Sequence, residues 1–173
     1  MKKVLLVIDI QNDYFADGAY PLWNAEETLT RVEGAIQRAV AANVPVVLVR
    51  HVADTSQGPA PFFAPESRGA EVHPRILAAA PHAPVIAKSF ADGFVGTTLE
   101  ETLAQLGATE LLVCGMMTQN CVTHTAISKS AEKYDVTVLV DCCTTVTEML
   151  HLLALHALST RSRLGPAEES LAS

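Results

Sequence analysis

Three side chains in this 173-residue sequence could together do covalent chemistry on a carbonyl: Asp9, Lys88 and Cys121. A thiol supplies a nucleophile, a carboxylate can take its proton, and a lysine ammonium can hold the charges that develop. That set is what acyl transfer through a thioester requires. Each residue also has a plainer reading. An acidic residue after a strand can cap a helix, a lysine can be solvated, and a free cysteine can be an inert buried thiol, as fits Cys114, Cys142 and Cys143. Position separates Cys121 from those three. It follows the turn Gly115-Met116-Met117-Thr118-Gln119-Asn120 and falls at the expected start of a helix reaching Lys133, where orphan N–H groups and the helix dipole favour a thiolate. His124, three residues on, shares a helix face with Cys121, so a Cys–His pair is conceivable. A helix neighbour points along the surface, however, and Asp9 already supplies a base.

The elements that must position these residues are five apolar, mostly β-branched runs: Val4 to Asp9, Val44 to Arg50, Val85 to Lys88, Leu111 to Cys114, and Val136 to Asp141. Helix-like segments separate them. This alternation predicts a three-layer α/β/α domain around a mainly parallel sheet of five or six strands, with a sixth, short edge strand available after about Thr160. Ligands in such sheets sit beyond the carboxyl ends of the strands, where Asp9, Lys88 and Cys121 all fall. Asn24 with Glu27, Thr97 with Glu100, and Thr145 with Glu148 read as helix starts, and Gly107 as a helix end. Leu150, Leu153 and Leu158 read as the buried face of the last helix. Between Ala53 and Gly69 the chain carries Pro59, Pro61 and Pro65, with Pro74 just beyond, and no sustained period. That is a long loop, of the kind that is either a functional cover or disordered.

Bulk properties narrow the class. The length suits a single domain spanning 1–173, and hydrophobic residues make up 49 %. Lys and Arg number 12 against 19 Asp and Glu, for a net charge of −7, and the basic residues are scattered. A nucleic-acid partner is therefore not expected, since phosphate binding needs a clustered positive surface. The opening MKKVLLVIDIQNDYF reads as a buried strand and not a leader, because its apolar run meets Asp9 and turns polar. No apolar stretch approaches membrane-spanning length. The four cysteines show neither metal spacing nor a disulfide framework, which suits free thiols in a cytoplasmic protein.

Three blocks, LLVIDIQNDYF, AKSFADGFVGTTLEETL and LLVCGMMTQNCVTHTAISKSAEKYDVTVLVDCCTT, resemble in order the signature blocks of the isochorismatase-like cysteine hydrolases. The resemblance covers most of the chain. It implies that Asp9, Lys88 and Cys121 are the catalytic triad, with Asp9 as base and Lys88 holding Asp9 and stabilising the thiolate. It also implies a cis peptide between Met116 and Met117 and an oxyanion hole from the N–H groups of Met117 and Cys121. Tyr14 matches a position that often stacks on substrate, although a core role is equally open. Phe94 and Trp23 are weaker candidates for that role, Gln11 is placed to orient Asp9 or the loop, and Asn12 and Asp13 to fix the turn. The resemblance further implies a homo-oligomer acting on a small-molecule substrate without a cofactor.

The activity expected is hydrolysis of an amide or ureido-type C–N bond. Vinyl-ether hydrolysis of the isochorismatase type is the alternative enzyme, and it does not need the cysteine nucleophile. A non-catalytic binding module or a thiol redox protein is the alternative of another class. The intact Asp–Lys–Cys set weighs against the first of these, and the lack of a Cys-x-x-Cys partner against the second. No bound metal is expected. The nicotinamidase branch carries an Asp-x-His pair after the second strand, and here Val49 stands where the carboxylate would be. His51 and His73 remain, read respectively as a hydrogen-bonding residue of the pocket wall and a cap for the helix that Pro74 opens.

Overall fold

The computed structural model describes residues 2–172. Six strands, β1 (Lys3–Ile8), β2 (Val46–His51), β3 (Val85–Lys88), β4 (Glu110–Met116), β5 (Asp135–Thr144) and β6 (Arg163–Gly165), form one sheet in the order β3-β2-β1-β4-β5-β6. Every pairing is parallel. The two inner strands explain the arrangement. β1 is buried along almost its whole length and β4 along all of it, so these runs are apolar without alternation and need cover on both faces. Helices α1 (Ala25–Ala41) and α2 (Pro74–Ala79) pack against each other on one side of the sheet. Gly93 packs closely against Leu99 of α3 (Leu99–Leu106) and Thr125 of α4 (Thr123–Ala126) and donates its N–H to Thr125 Oγ1. Two further helices, α5 (Glu148–Leu158) and α6 (Ala167–Ser170), flank β6. Among the described residues no helix is long and apolar enough to cross a membrane.

The expected start of α1 at Asn24 holds, while those of α3 and α5 move. Asn24 takes a left-handed backbone (φ 53°) instead of the extended one a capping side chain needs, and makes no cap bond. Thr97 Oγ1 accepts from Leu99 N at 3.2 Å but precedes a helix that begins only at Leu99. The cap of α5 is Thr147, which accepts from Leu150 N, while the Thr145 hydroxyl is buried without a partner. The helix expected from Cys121 to Lys133 is broken into a π turn (Thr118–Val122), the single turn α4, and a 3₁₀ segment (Lys129–Lys133). β-branched residues crowd this stretch, and Ser128 diverts the chain by accepting from Ser130 N. In α5, Leu153 is 61 % exposed and the buried positions are His151, Ala154 and Leu158. Apolar residues surround that helix, so their spacing does not select a face.

The sheet leaves one place where backbones nearly touch. Gly115 in β4 has φ 129°, and a Cβ built there would lie 1.9 Å from the carbonyl oxygen of Ile8 in β1. This contact sets the separation of β1 and β4 at their carboxyl ends, just before Asp9. Asp9 itself turns out of the strand with a positive φ of 53°, a sparsely populated conformation that surrounding structure must hold. Gly115→Ala is expected to lower unfolding free energy by at least about 2 kcal/mol, because it combines a disfavoured φ with a backbone clash. Urea denaturation measures this, and a stability equal to wild type would show that the two strands are free to separate.

Candidate active site

The strand order reverses beside β1, whose neighbours are β2 and β4. Asp9 leaves the end of β1 and Cys121 follows β4, so they flank the crevice where open parallel sheets bind ligands. Lys88 ends β3, two strands from β1. Strand spacing of about 4.8 Å makes that a gap of nearly 10 Å. Only a long side chain crosses it. Lys88 reaches over β2 and donates to Asp9 Oδ2 at 2.8 Å and to Cys121 Sγ at 3.2 Å. The side chains of Lys88 and Asp9 are both 0 % exposed.

A fourth residue joins them. His51, opposite Lys88 in the β2–β3 register, puts Nδ1 3.0 Å from Lys88 Nζ. An ammonium only donates, so Nδ1 accepts and the imidazole proton is on Nε2. The three ammonium hydrogens thus have three acceptors. His51 is hydrogen-bonded, as expected, and its partner is the Lys88 ammonium itself. Its position at the end of β2, in line with Asp9 and Lys88, is the signal that identifies it. Burial, followed by the neighbouring Lys88 charge, lowers its pKa, so it is neutral at pH 7.

The electrostatics of Cys121 differ from the expectation of a helix-start thiolate. Burial, reinforced by the Asp9 charge and only partly offset by Lys88, pushes its pKa well up. The resting group is a thiol. Asp9 Oδ1 is buried and accepts no hydrogen bond, which leaves the carboxylate one free acceptor beside it. For Lys88, burial alone would depress the pKa, yet Asp9 and Cys121 outweigh it and the net direction is up. The ammonium stays charged.

The turn carrying Cys121 is held from both sides. The Met116–Met117 peptide is cis. Thr118, next in the chain, shares a 2.8 Å hydrogen bond with His151 Nδ1 of α5, and Thr123 Oγ1 donates to the Thr118 carbonyl at 2.6 Å. Neither His151 nor Thr118 stands out by type or spacing in the sequence. His124 is exposed, away from the thiol. Cys114, Cys142 and Cys143 are buried in β4 and β5 as free thiols.

The remaining candidates divide. Gln11 spends its amide on backbone: Nε2 donates to the carbonyls of His51 and Ala70, and Oε1 accepts from His51 N, each at 2.8 Å. It fixes the end of β2 and the loop, with nothing left over for a ligand. Asp13 accepts from Ala19 N and Phe63 N, and Asn12 donates to Arg68 O. These bonds fold the 53–69 loop back over the β1 end, where Tyr14 meets Phe63 edge-on at 4.6 Å and Phe62 stacks on Tyr20 at 4.6 Å. Tyr14 is itself buried, and that burial, followed by the charges of Asp9 and Cys121, raises its pKa. Phe94 is buried, in a loop that Gly93 N anchors to Thr125 Oγ1. Trp23 is 37 % exposed, with its ring 6.1 Å from that of His151. His73 caps α2 by accepting from Arg75 N, and Val49 is a core residue of β2. Among the described residues, the cluster of three His, Cys, Asp or Glu donors is Asp9, His51 and Cys121, without His73.

The isochorismatase domain family matches residues 3–165 of this chain. The chain belongs to the isochorismatase family. Its membership makes it a hydrolase. An isochorismatase family protein of Bacillus subtilis, YddQ, is 35 % identical over 147 residues, covering 85 % of this chain and 80 % of that protein. A streptothricin hydrolase of Streptomyces noursei is 35 % identical over 124 residues, 72 % of this chain but 43 % of the longer relative. The crystal structure of an isochorismatase family protein from Desulfovibrio vulgaris superposes with a TM-score of 0.87 at 25 % identity, covering 99 % of each chain.

Two expectations follow from this geometry. Lys88→Met strands the Asp9 carboxylate in the interior without a counter-charge, and is expected to reduce unfolding free energy by about 3–5 kcal/mol. The double variant Asp9→Asn, Lys88→Met should recover most of that. Denaturant curves for these two variants and for Asp9→Asn measure the coupling, and a double-variant loss equal to the sum of the two single losses would mean that the pair is not interacting. Second, burial lowers the pKa of His51, His73 and His151 below the ordinary 6.5. The fold holds all three neutral while the unfolded chain protonates them, so their contribution is complete above about pH 6.5 and is lost as pH falls through the depressed values. Stability measured from pH 7.5 to 5 should decline, and His51→Gln should flatten part of that decline.

Proposed function

We propose that this hydrolase cleaves the C–N bond of a small amide or ureido compound through a thioester on Cys121. The observation that carries the reading is the buried Lys88 ammonium at 2.8 Å from Asp9 and 3.2 Å from Cys121. It ties a carboxylate base to a nucleophile in a space from which water is largely excluded. Because the resting sulfur is protonated, attack and deprotonation belong together. Asp9 takes the thiol proton as sulfur bonds to the carbonyl carbon, and the oxyanion forms against the N–H groups of Met117 and Cys121. Asp9 then passes that proton to the leaving nitrogen as the C–N bond breaks. Water enters, gives a proton to Asp9, and attacks the thioester. The acid leaves, and the proton returns from Asp9 to sulfur.

Lys88 acts throughout as a fixed positive charge. It holds the Asp9 carboxylate in place and stabilises the sulfur as it becomes anionic. Preorganised charges of this kind act without the reorganisation that water would need. Amide chemistry agrees with this proton route because the leaving nitrogen needs a proton, which the carboxylate has just acquired. A relative named as a streptothricin hydrolase agrees with a hydrolytic reading of the site. Vinyl-ether hydrolysis has no use for a thiol tied to a base in this way.

A panel of primary amides and ureides, assayed for ammonia release, finds the substrate class. Cys121→Ala is expected to hold below a tenth of wild-type turnover, with a circular dichroism spectrum and midpoint close to wild type, because it removes a nucleophile and little core volume. Turnover above a tenth in that variant would remove the thioester from the mechanism.

A further inference from the structure

The groups that receive the Lys88 ammonium have a second use. Asp9 supplies a carboxylate oxygen, His51 an imidazole Nδ1 lone pair and Cys121 a sulfur, and these three donor atoms lie within 4.8 Å of one another. Lys88 Nζ sits among them at 2.8, 3.0 and 3.2 Å. One carboxylate, one imidazole and one thiolate around a common centre is a donor set for tetrahedral zinc, whose bonds run about 2.0–2.3 Å. Each donor therefore needs to move inward by about 1 Å or less from its distance to the ammonium. The unpartnered Asp9 Oδ1 adds a second buried oxygen with no other bond to lose.

We propose that Asp9, His51 and Cys121 form a latent binding site for a thiophilic divalent cation, zinc, which the Lys88 ammonium keeps closed and whose occupation inhibits the enzyme. Zinc is selected over magnesium or calcium because sulfur and imidazole are poor partners for hard cations. The proton balance is simple once Lys88 is absent. Zinc bonds to sulfur, the thiol S–H bond breaks, and one proton leaves to solvent. In the wild type the ammonium must also vacate the centre, so zinc competes with a charge the protein already holds there. A zinc-bound sulfur is no longer a free nucleophile, and a zinc-bound Asp9 no longer a free base. The donor set uses no histidine beyond β2, so it differs from a site assembled from His51 and His73. The proposal does not rest on amide hydrolysis, since its test reads metal binding without substrate.

The test compares wild type with Lys88→Ala, using zinc for affinity and cobalt as a spectroscopic reporter. Lys88→Ala is expected to bind one equivalent of zinc at least about tenfold more tightly than wild type, with release of a proton. Its cobalt form should show a thiolate-to-cobalt charge-transfer band, absent when Cys121→Ser or His51→Gln is added. Folded Lys88→Ala that binds zinc no better than wild type, or cobalt without that band, overturns the proposal. Should Lys88→Ala not fold, the wild-type protein decides. Zinc should slow alkylation of Cys121 by iodoacetamide, reversibly on chelation, with magnesium inactive and His51→Gln insensitive. An alkylation rate unchanged by zinc contradicts the site.

Discussion

A single buried ammonium organises this molecule's chemistry. Lys88 crosses from the third strand to the first and donates to Asp9, His51 and Cys121, none of which is adjacent to another in the chain. Burying a lone charge costs several kcal/mol, so the cation and the carboxylate must be brought in together and kept together. Most of the surrounding architecture serves that requirement. The close approach at Gly115 sets β1 against β4, Gln11 pins the end of β2 that carries His51, and the aromatic residues of the 53–69 loop cover the Asp9 side. A lysine is the side chain with both the reach and the point charge for three separate acceptors. Arginine would offer a planar fork in place of a compact centre.

The same burial that strengthens the ion pair shapes the nucleophile. A solvent-exposed cysteine beside a lysine would ionise readily, whereas here desolvation and Asp9 outweigh Lys88 and the sulfur stays protonated at rest. A protonated thiol resists oxidation and non-specific alkylation. In the proposed mechanism, reactivity then depends on a substrate carbonyl arriving at the sulfur while Asp9 stands ready for the proton. His51 contributes by remaining neutral: a proton on its Nδ1 would place a second positive charge against Lys88 and remove one of the three acceptors.

Much of this was legible in the sequence, for identifiable reasons. Asp9 and Lys88 end apolar strands, so each appears as a charge where the pattern stops, and the family's sequence blocks carry Cys121. The parallel sheet follows from its inner strands β1 and β4, whose runs are apolar without alternation. What stayed hidden depends on distant partners. The 53–69 loop has no internal period because its order comes from Phe63 N donating to Asp13, fifty positions away. The bond between Thr118 and His151 joins two ordinary polar residues of separate elements. The starts of α3 and α5 shifted because more than one threonine precedes each of them, and backbone context selects Thr98 and Thr147. Leu153 is exposed although its spacing suggests a core face, because apolar residues recur all around α5 and select no side.

The most direct test of a thioester on Cys121 is interception of that intermediate. With any amide or ureide from which the enzyme releases ammonia, added hydroxylamine competes with water for the acyl group. The mechanism predicts that hydroxamate accumulates at the expense of the acid, in proportion to hydroxylamine, and that Cys121→Ala produces neither. Ammonia release accompanied by acid alone at every hydroxylamine concentration would contradict a covalent intermediate on Cys121 and, with it, the role assigned to the Lys88 cluster.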